Sequence, residues 1–162
     1  MTRVRPGALA WTAVLLVATL LPHAARAETP VWDQTLSRVA PSVVTIEIDQ
    51  ARAFDTEWNQ SSQATGFVVD AERGLILTNR HVVTAGPVIA TAVFQNREEV
   101  ELQAVYRDPV HDFGFYRYDP SKLRFVEPAA LPLYPAGARI GVEVRVLGND
   151  AGEQLSILAG TL

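Results

Sequence analysis

The sequence has 162 residues, a formal net charge of −4, a hydrophobic fraction of 48% and no cysteine. The negative balance, with no basic stretch interleaved with aromatics, argues against a nucleic-acid surface. The missing cysteines exclude a disulfide framework and a thiolate metal site, while the apolar content and length suffice for one packed domain.

Arg3 and Arg5 precede an apolar run from Ala8 to Leu21, followed by the small-x-small pattern Ala25-Arg26-Ala27. This reads as a secretory signal peptide over residues 1–27, cleaved after Ala27, with an apolar core short for a membrane span. The expectation is a periplasmic or secreted protein with no stable membrane span after signal cleavage. A bacterial periplasm permits disulfides without requiring them.

Beyond it, Thr29 suits a helix cap and Pro30 a first helical position. Trp32, Leu36 and Val39 then fall on one helical face, and Pro41 ends the helix. Residues 42–48 are β-branched and predict a strand. Residues 49–63 are polar and predict a loop. Strands are expected at 64–69 and 75–79 around a hairpin turn at 70–74, where Gly74 can take positive φ. Two more are expected at 88–94 and 98–106 around Gln95-Asn96-Arg97, and a sixth at 112–118. Short, closely spaced strands with one short helix predict an all-β antiparallel sandwich or barrel, with Gly66 and Gly114 suited to sharp bends.

Residues 119–138 contain Pro120, Pro128, Pro132 and Pro135 and read as an extended connector. A strand at 142–147, turn chemistry at Gly148-Asn149-Asp150-Ala151-Gly152 and a strand from Gln154 to Leu162 follow. The organisation is thus a helix and one complete barrel over 28–118, a connector over 119–138, and the opening of a second barrel over 139–162.

His81 lies in Thr78-Asn79-Arg80-His81-Val82-Val83, where an apolar strand gives way to a turn. A histidine held there is suited to act as a general base. Flanked by valines, a histidine judged alone is more often a packed or half-exposed structural residue. An orienting carboxylate would separate the two readings. Asp112 stands at the start of an apolar strand, where it could be held rigidly and partly desolvated; Asp108, in Asp-Pro, is the competitor with the character of a turn residue. His111 beside Asp112 suggests a metal pair with His81, but strand neighbours point to opposite faces, so no metal site and no cofactor are expected.

These residues carry a resemblance. Ala64-Thr65-Gly66-Phe67-Val68-Val69 and Gly74-Leu75-Ile76-Leu77-Thr78-Asn79-Arg80-His81-Val82-Val83 resemble the HtrA/DegP family of trypsin-like serine proteases. The family's catalytic histidine falls on His81. Asp108-Pro109-Val110-His111-Asp112-Phe113-Gly114 resembles the segment carrying the catalytic aspartate, which falls on Asp112. Val142 to Asn149 resembles the strand that opens the second barrel. Phe113-Gly114-Phe115 is similar to a branch whose members carry PDZ domains. The resemblance implies a trypsin-like antiparallel β-barrel fold, serine endopeptidase activity, envelope protein quality control, unfolded or misfolded polypeptides as substrates, and room for a homo-oligomer.

The family's nucleophile sits in a Gly-x-Ser-Gly loop that also forms the oxyanion hole. Ser37, Ser42, Ser61, Ser62, Ser121 and Ser156 all lack that glycine context. The chain is therefore expected to supply His81 and Asp112 but no nucleophile, and to be inactive alone. The alternative is a non-catalytic polypeptide-binding barrel, a pseudoprotease or chaperone remnant.

Overall fold

A computed structural model describes residues 30–50, 60–150 and 154–162. The stretch read as a signal peptide, and most of the loop expected at 49–63, lie outside the described residues. Helix α1 (Pro30–Val39) continues into a 3-10 turn at Ala40–Ser42. Six strands follow: β1 (Val43–Gln50), β2 (Gln60–Asp70), β3 (Leu75–Thr78), β4 (Ile89–Val93), β5 (Glu99–Arg107) and β6 (Gly114–Arg117). They close into an antiparallel barrel in the order β1-β2-β3-β6-β5-β4, with β4 pairing back onto β1. Among the described residues, closure leaves the six-stranded barrel itself without a free edge.

Alternation sets which side chains go inside. Along β1, Ile46, Ile48 and Gln50 are buried while Glu47 and Asp49 face out. The interior joins Val44, Ile46, Val68, Ile76, Ala92, Val100, Leu102 and Tyr116, with Phe94 and Tyr118 meeting edge-on at 5.7 Å near one end. Each fully buried Ile or Val contributes roughly 1.5–3 kcal/mol of transfer free energy.

Three expectations change here. First, β1 and β2 run longer than predicted, pairing from Val43↔Phe67 to Gln50↔Gln60. Their polar ends pair across the strands: Ser61 Oγ donates to Asp49 at 3.2 Å and Gln63 Nε2 to Glu47 at 3.0 Å. Such cross-strand polar pairs stabilise a ladder that has no apolar alternation. Second, Gly66 and Gly114 serve close packing. A Cβ on Gly66 would stand 2.7 Å from both Ile46 Cδ1 and Ile76 Cγ2, and one on Gly114 would stand 2.8 Å from Val83 Cγ2 and 2.9 Å from the Tyr106 carbonyl. Third, Gly148, Asn149 and Asp150 belong to a strand. A hairpin of β7 (Glu143–Asp150) and β8 (Gln154–Thr161) pairs Gly148 with Ser156, whose Oγ donates to the Gly148 carbonyl at 3.1 Å.

The connector is pinned to the barrel at several points. Glu98 accepts from the backbone N–H groups of Arg124 at 2.6 Å and Val126 at 2.8 Å, and from Phe125 and the Asn96 side chain. The Asn96 bond first, and then these backbone donors, hold the Glu98 carboxyl below its ordinary value against the opposing effect of burial. Further along, Ser42 Oγ donates to Ala129 O at 2.6 Å and Leu131 N to Val68 O at 2.9 Å. The hairpin touches both earlier parts: Arg145 lies 4.6 Å over the Trp32 ring of α1, and Asn149 N donates to Thr65 Oγ1 at 3.0 Å.

Two glycines with positive φ should respond differently to alanine. Gly74 (φ 67°) ends the β2–β3 hairpin and a Cβ there would run into the Tyr118 carbonyl, whereas Gly141 (φ 87°) has nothing within 4 Å. Gly141→Ala should cost only the left-handed strain, about 1 kcal/mol. Gly74→Ala adds a backbone overlap and should cost about 3 kcal/mol or more. Urea unfolding midpoints at constant m check the order.

Candidate active site

Strands β3 and β6 pair with Thr78 opposite Gly114. The chain leaves the sheet at that rung on both sides, forward into residues 79–83 and backward into Phe113 and Asp112. The 79–83 turn is closed by the Asn79 carbonyl, which accepts from Val82 N at 3.1 Å and Val83 N at 3.4 Å. Val82 and Val83 are buried, and the hydroxyl of buried Tyr116 donates to the Val82 carbonyl at 3.0 Å. The valines thus anchor the turn, while the His81 side chain is 71% exposed.

His81 and Asp112 meet directly. His81 Nδ1 lies 2.9 Å from Asp112 Oδ2 and 3.1 Å from Oδ1, and the His81 backbone N–H donates to Oδ1 at 3.1 Å. Asn79 Nδ2 donates to Oδ2 at 3.2 Å and to the Asp112 carbonyl at 3.3 Å. Burial pushes the Asp112 carboxyl up, but the His81 N–H, the His81 ring and the Asn79 amide outweigh it and hold the group below its ordinary value. An ionised carboxylate only accepts, so the facing Nδ1 carries a proton, and in the neutral ring the lone pair then lies on Nε2. One expectation is corrected. Asp112 precedes β6 in a bend and its side chain is 47% exposed, because its carboxylate is turned to the donors of the 79–83 turn.

Asp108 does different work. It is buried and accepts from His111 N at 2.6 Å, Val110 N at 2.9 Å and Tyr106 Oη at 2.9 Å. Its own N–H donates to Phe113 O at 3.0 Å, so it builds the bend that presents Asp112. The His111 N–H first, then the Val110 N–H and the Tyr106 hydroxyl, lower its pKa from 3.8 to about 2 against burial. His111 turns to Asp108, with Nδ1 at 3.3 Å, and stacks on Phe113, so the structure does not bring it to His81 as a partner. The hydroxyls of Ser37, Ser42, Ser61, Ser121 and Ser156 likewise bond elsewhere. Sequence reasoning gave no role to Asn79 or Tyr116. An amide donor two residues before the histidine was the available signal for the first; inward alternation with Gly114 was the signal for the second.

Residues 64–162 match the family described as a trypsin-like peptidase domain. The chain belongs to that family. Its relatives are HtrA-type and Do-like serine proteases. The pro-apoptotic serine protease nma111 of Neosartorya fischeri is 56% identical over 138 residues, covering 85% of this chain and 13% of that protein. Protease Do-like 7 of Arabidopsis thaliana is 57% identical over 131 residues, covering 81% of this chain and 12% of that protein. Among solved structures, the HtrA-type protease AlgW with a tripeptide superposes with a TM-score of 0.66 at 26% identity, over 82% of this chain and 39% of that one. The chain therefore spans about an eighth of the length of the curated relatives it matches.

These relatives overturn the expected localisation. The curated relatives at 53–57% identity are fungal and plant proteins, not bacterial periplasmic ones, so the reading as a periplasmic or secreted protein cleaved after Ala27 does not stand. An apolar run between arginines and small residues reports hydrophobicity and spacing; it does not by itself specify a compartment.

The Asp108 bonds imply an acid-sensitive fold. With a folded pKa of about 2 against an ordinary 3.8, its stabilisation is present above the ordinary value and is lost as pH falls through the folded one. The melting temperature should therefore drop across that window, and Asp108→Ala should flatten the drop. Calorimetric melts of both proteins across the window check it.

Proposed function

We propose that this chain carries the general base and the orienting carboxylate of a serine endopeptidase, His81 and Asp112 respectively. The observation that carries the reading is the 2.9 Å approach of Asp112 Oδ2 to His81 Nδ1, on a turn whose neighbouring valines are buried. Kinship with serine proteases supports it. The carboxylate fixes the ring with its proton on Nδ1, so Nε2 can take the proton of an attacking serine and return it to the leaving amine. Asp112 also stabilises the imidazolium formed between those two transfers. The ring's exposure leaves room for a nucleophile and substrate to be brought to it. Polypeptides in unfolded or misfolded form are the substrates proposed, since a scissile peptide must reach such a site as extended backbone.

In this reading residues 28–118 form the first barrel, 119–138 the connector and 139–162 the opening of a second barrel. The nucleophile and the oxyanion donors lie outside these 162 residues. The chain alone is then catalytically inert, because a base without a hydroxyl to deprotonate performs no acyl transfer.

Two measurements test this. A phosphonate probe of serine hydrolases should leave the 162-residue chain unlabelled; stoichiometric labelling would refute the assignment of the nucleophile elsewhere. In a chain extended through the nucleophile, Asp112→Asn should lower kcat by roughly 10⁴-fold, the size seen when a triad aspartate is lost. Asp108→Asn should leave kcat far less affected. The reverse ranking would sink the assignment of Asp112.

A further inference from the structure

We infer that Asn79 is a positioning residue for Asp112, its side-chain amide locking the carboxylate against the His81 ring. The term positioning rests on the roles proposed for His81 and Asp112; the bond itself does not. Asp112 is half-exposed and lies in a bend, so nothing in its burial prevents the carboxylate from turning to water. What restrains it is a set of donors. The His81 backbone N–H holds Oδ1 at 3.1 Å. Oδ2 is shared between the His81 ring at 2.9 Å and Asn79 Nδ2 at 3.2 Å. The same Asn79 nitrogen reaches the Asp112 main-chain carbonyl at 3.3 Å. One amide, with two hydrogens to give, therefore grips the side chain and the backbone of a single residue. That double grip opposes rotation of the side chain relative to its own backbone.

Asn79 can do this because it is itself fixed. It follows Thr78, the buried last residue of β3, whose Oγ1 donates to Thr65 O at 2.8 Å. Its carbonyl is occupied by the N–H groups of Val82 and Val83. The neighbouring cation, Arg80, is directed elsewhere, its guanidinium donating to Pro109 O at 3.3 Å. The chemistry demands a donor at this point. Alanine supplies none, and an aspartate of the same shape would set a second negative charge against Oδ2.

The test uses the whole 162-residue chain with Asn79→Ala and the isosteric Asn79→Asp. Carbon-detected NMR follows the Asp112 carboxyl through its titration, and ring ¹⁵N shifts report the His81 tautomer. Asn79→Asp should raise the Asp112 midpoint by ~1 pH unit or more, since a like charge disfavours the ionised form. Asn79→Ala should raise it less and should shift His81 away from the Nδ1–H tautomer. Unchanged midpoint and tautomer in the folded Asn79→Asp protein would overturn the inference, even where the alanine variant proves poorly folded. A failure of the functional reading looks different: Asp112→Asn would leave hydrolysis intact in the extended chain while the Asn79→Asp midpoint shift persisted.

Discussion

The site depends on one rung of the barrel, the pairing of Thr78 with Gly114. Strands β3 and β6 are separated in sequence by the whole of β4 and β5, and it is the strand order of the sheet that makes them neighbours. His81 leaves one strand and Asp112 precedes the other at that same rung. A slip by one residue would exchange Tyr116 for Phe115 in the interior and carry the two turns apart by about 3.4 Å. Gly114 protects the register because Val83 and the Tyr106 carbonyl fill the space a side chain would need. Val83 belongs to the His81 turn, so the contact that packs this corner of the core also helps set the distance between His81 and Asp112.

Asp108 and Asp112 show how the donors around a carboxylate decide what it does. The first is buried among backbone N–H groups and a tyrosine hydroxyl, and it shapes the bend. The second is half-exposed and faces an imidazole, a backbone N–H and an asparagine amide. Both are lowered from their ordinary pKa against burial, each first by a backbone N–H and then by side-chain donors. Backbone donors are permanent, so Asp108 is structural. Asp112 instead faces the exposed ring of His81 as well as a backbone N–H.

Much of this was legible in the sequence, and what was not has a common cause. The interior of β1, the Gly74 hairpin and the His81 turn follow from local rules of alternation, turn chemistry and motif. The polar ends of β1 and β2 escaped because their alternation is polar on polar, and their stabilising partners sit across the ladder at Asp49 and Glu47. The roles of Gly66 and Gly114 escaped because Ile46, Ile76 and Val83 come near them only after closure. Asp112, which the structure sets 2.9 Å from the His81 ring, was read as a strand residue because Phe113-Gly114-Phe115 reads as apolar strand and the bend is made by Asp108 bonds four residues earlier. The expectation of export came from the pattern of Arg3, Arg5, an apolar run and Ala25-Arg26-Ala27, and it was the one the fungal and plant relatives reversed.

Thr65 connects these levels. Its carbonyl accepts from Thr78, the residue from which the His81 turn departs, and its hydroxyl accepts from Asn149 in β7. The hairpin is thus referenced to the barrel through the same residue that braces the histidine turn. A catalytic site shared between two structural units must hold its parts to a fraction of an ångström, and error grows with each contact in the path between them. Here that path, from the base of the histidine turn to β7, contains two hydrogen bonds. If the nucleophile arrives on the unit that β7 begins, Thr65 is the shortest link by which the fold can keep it in register with His81.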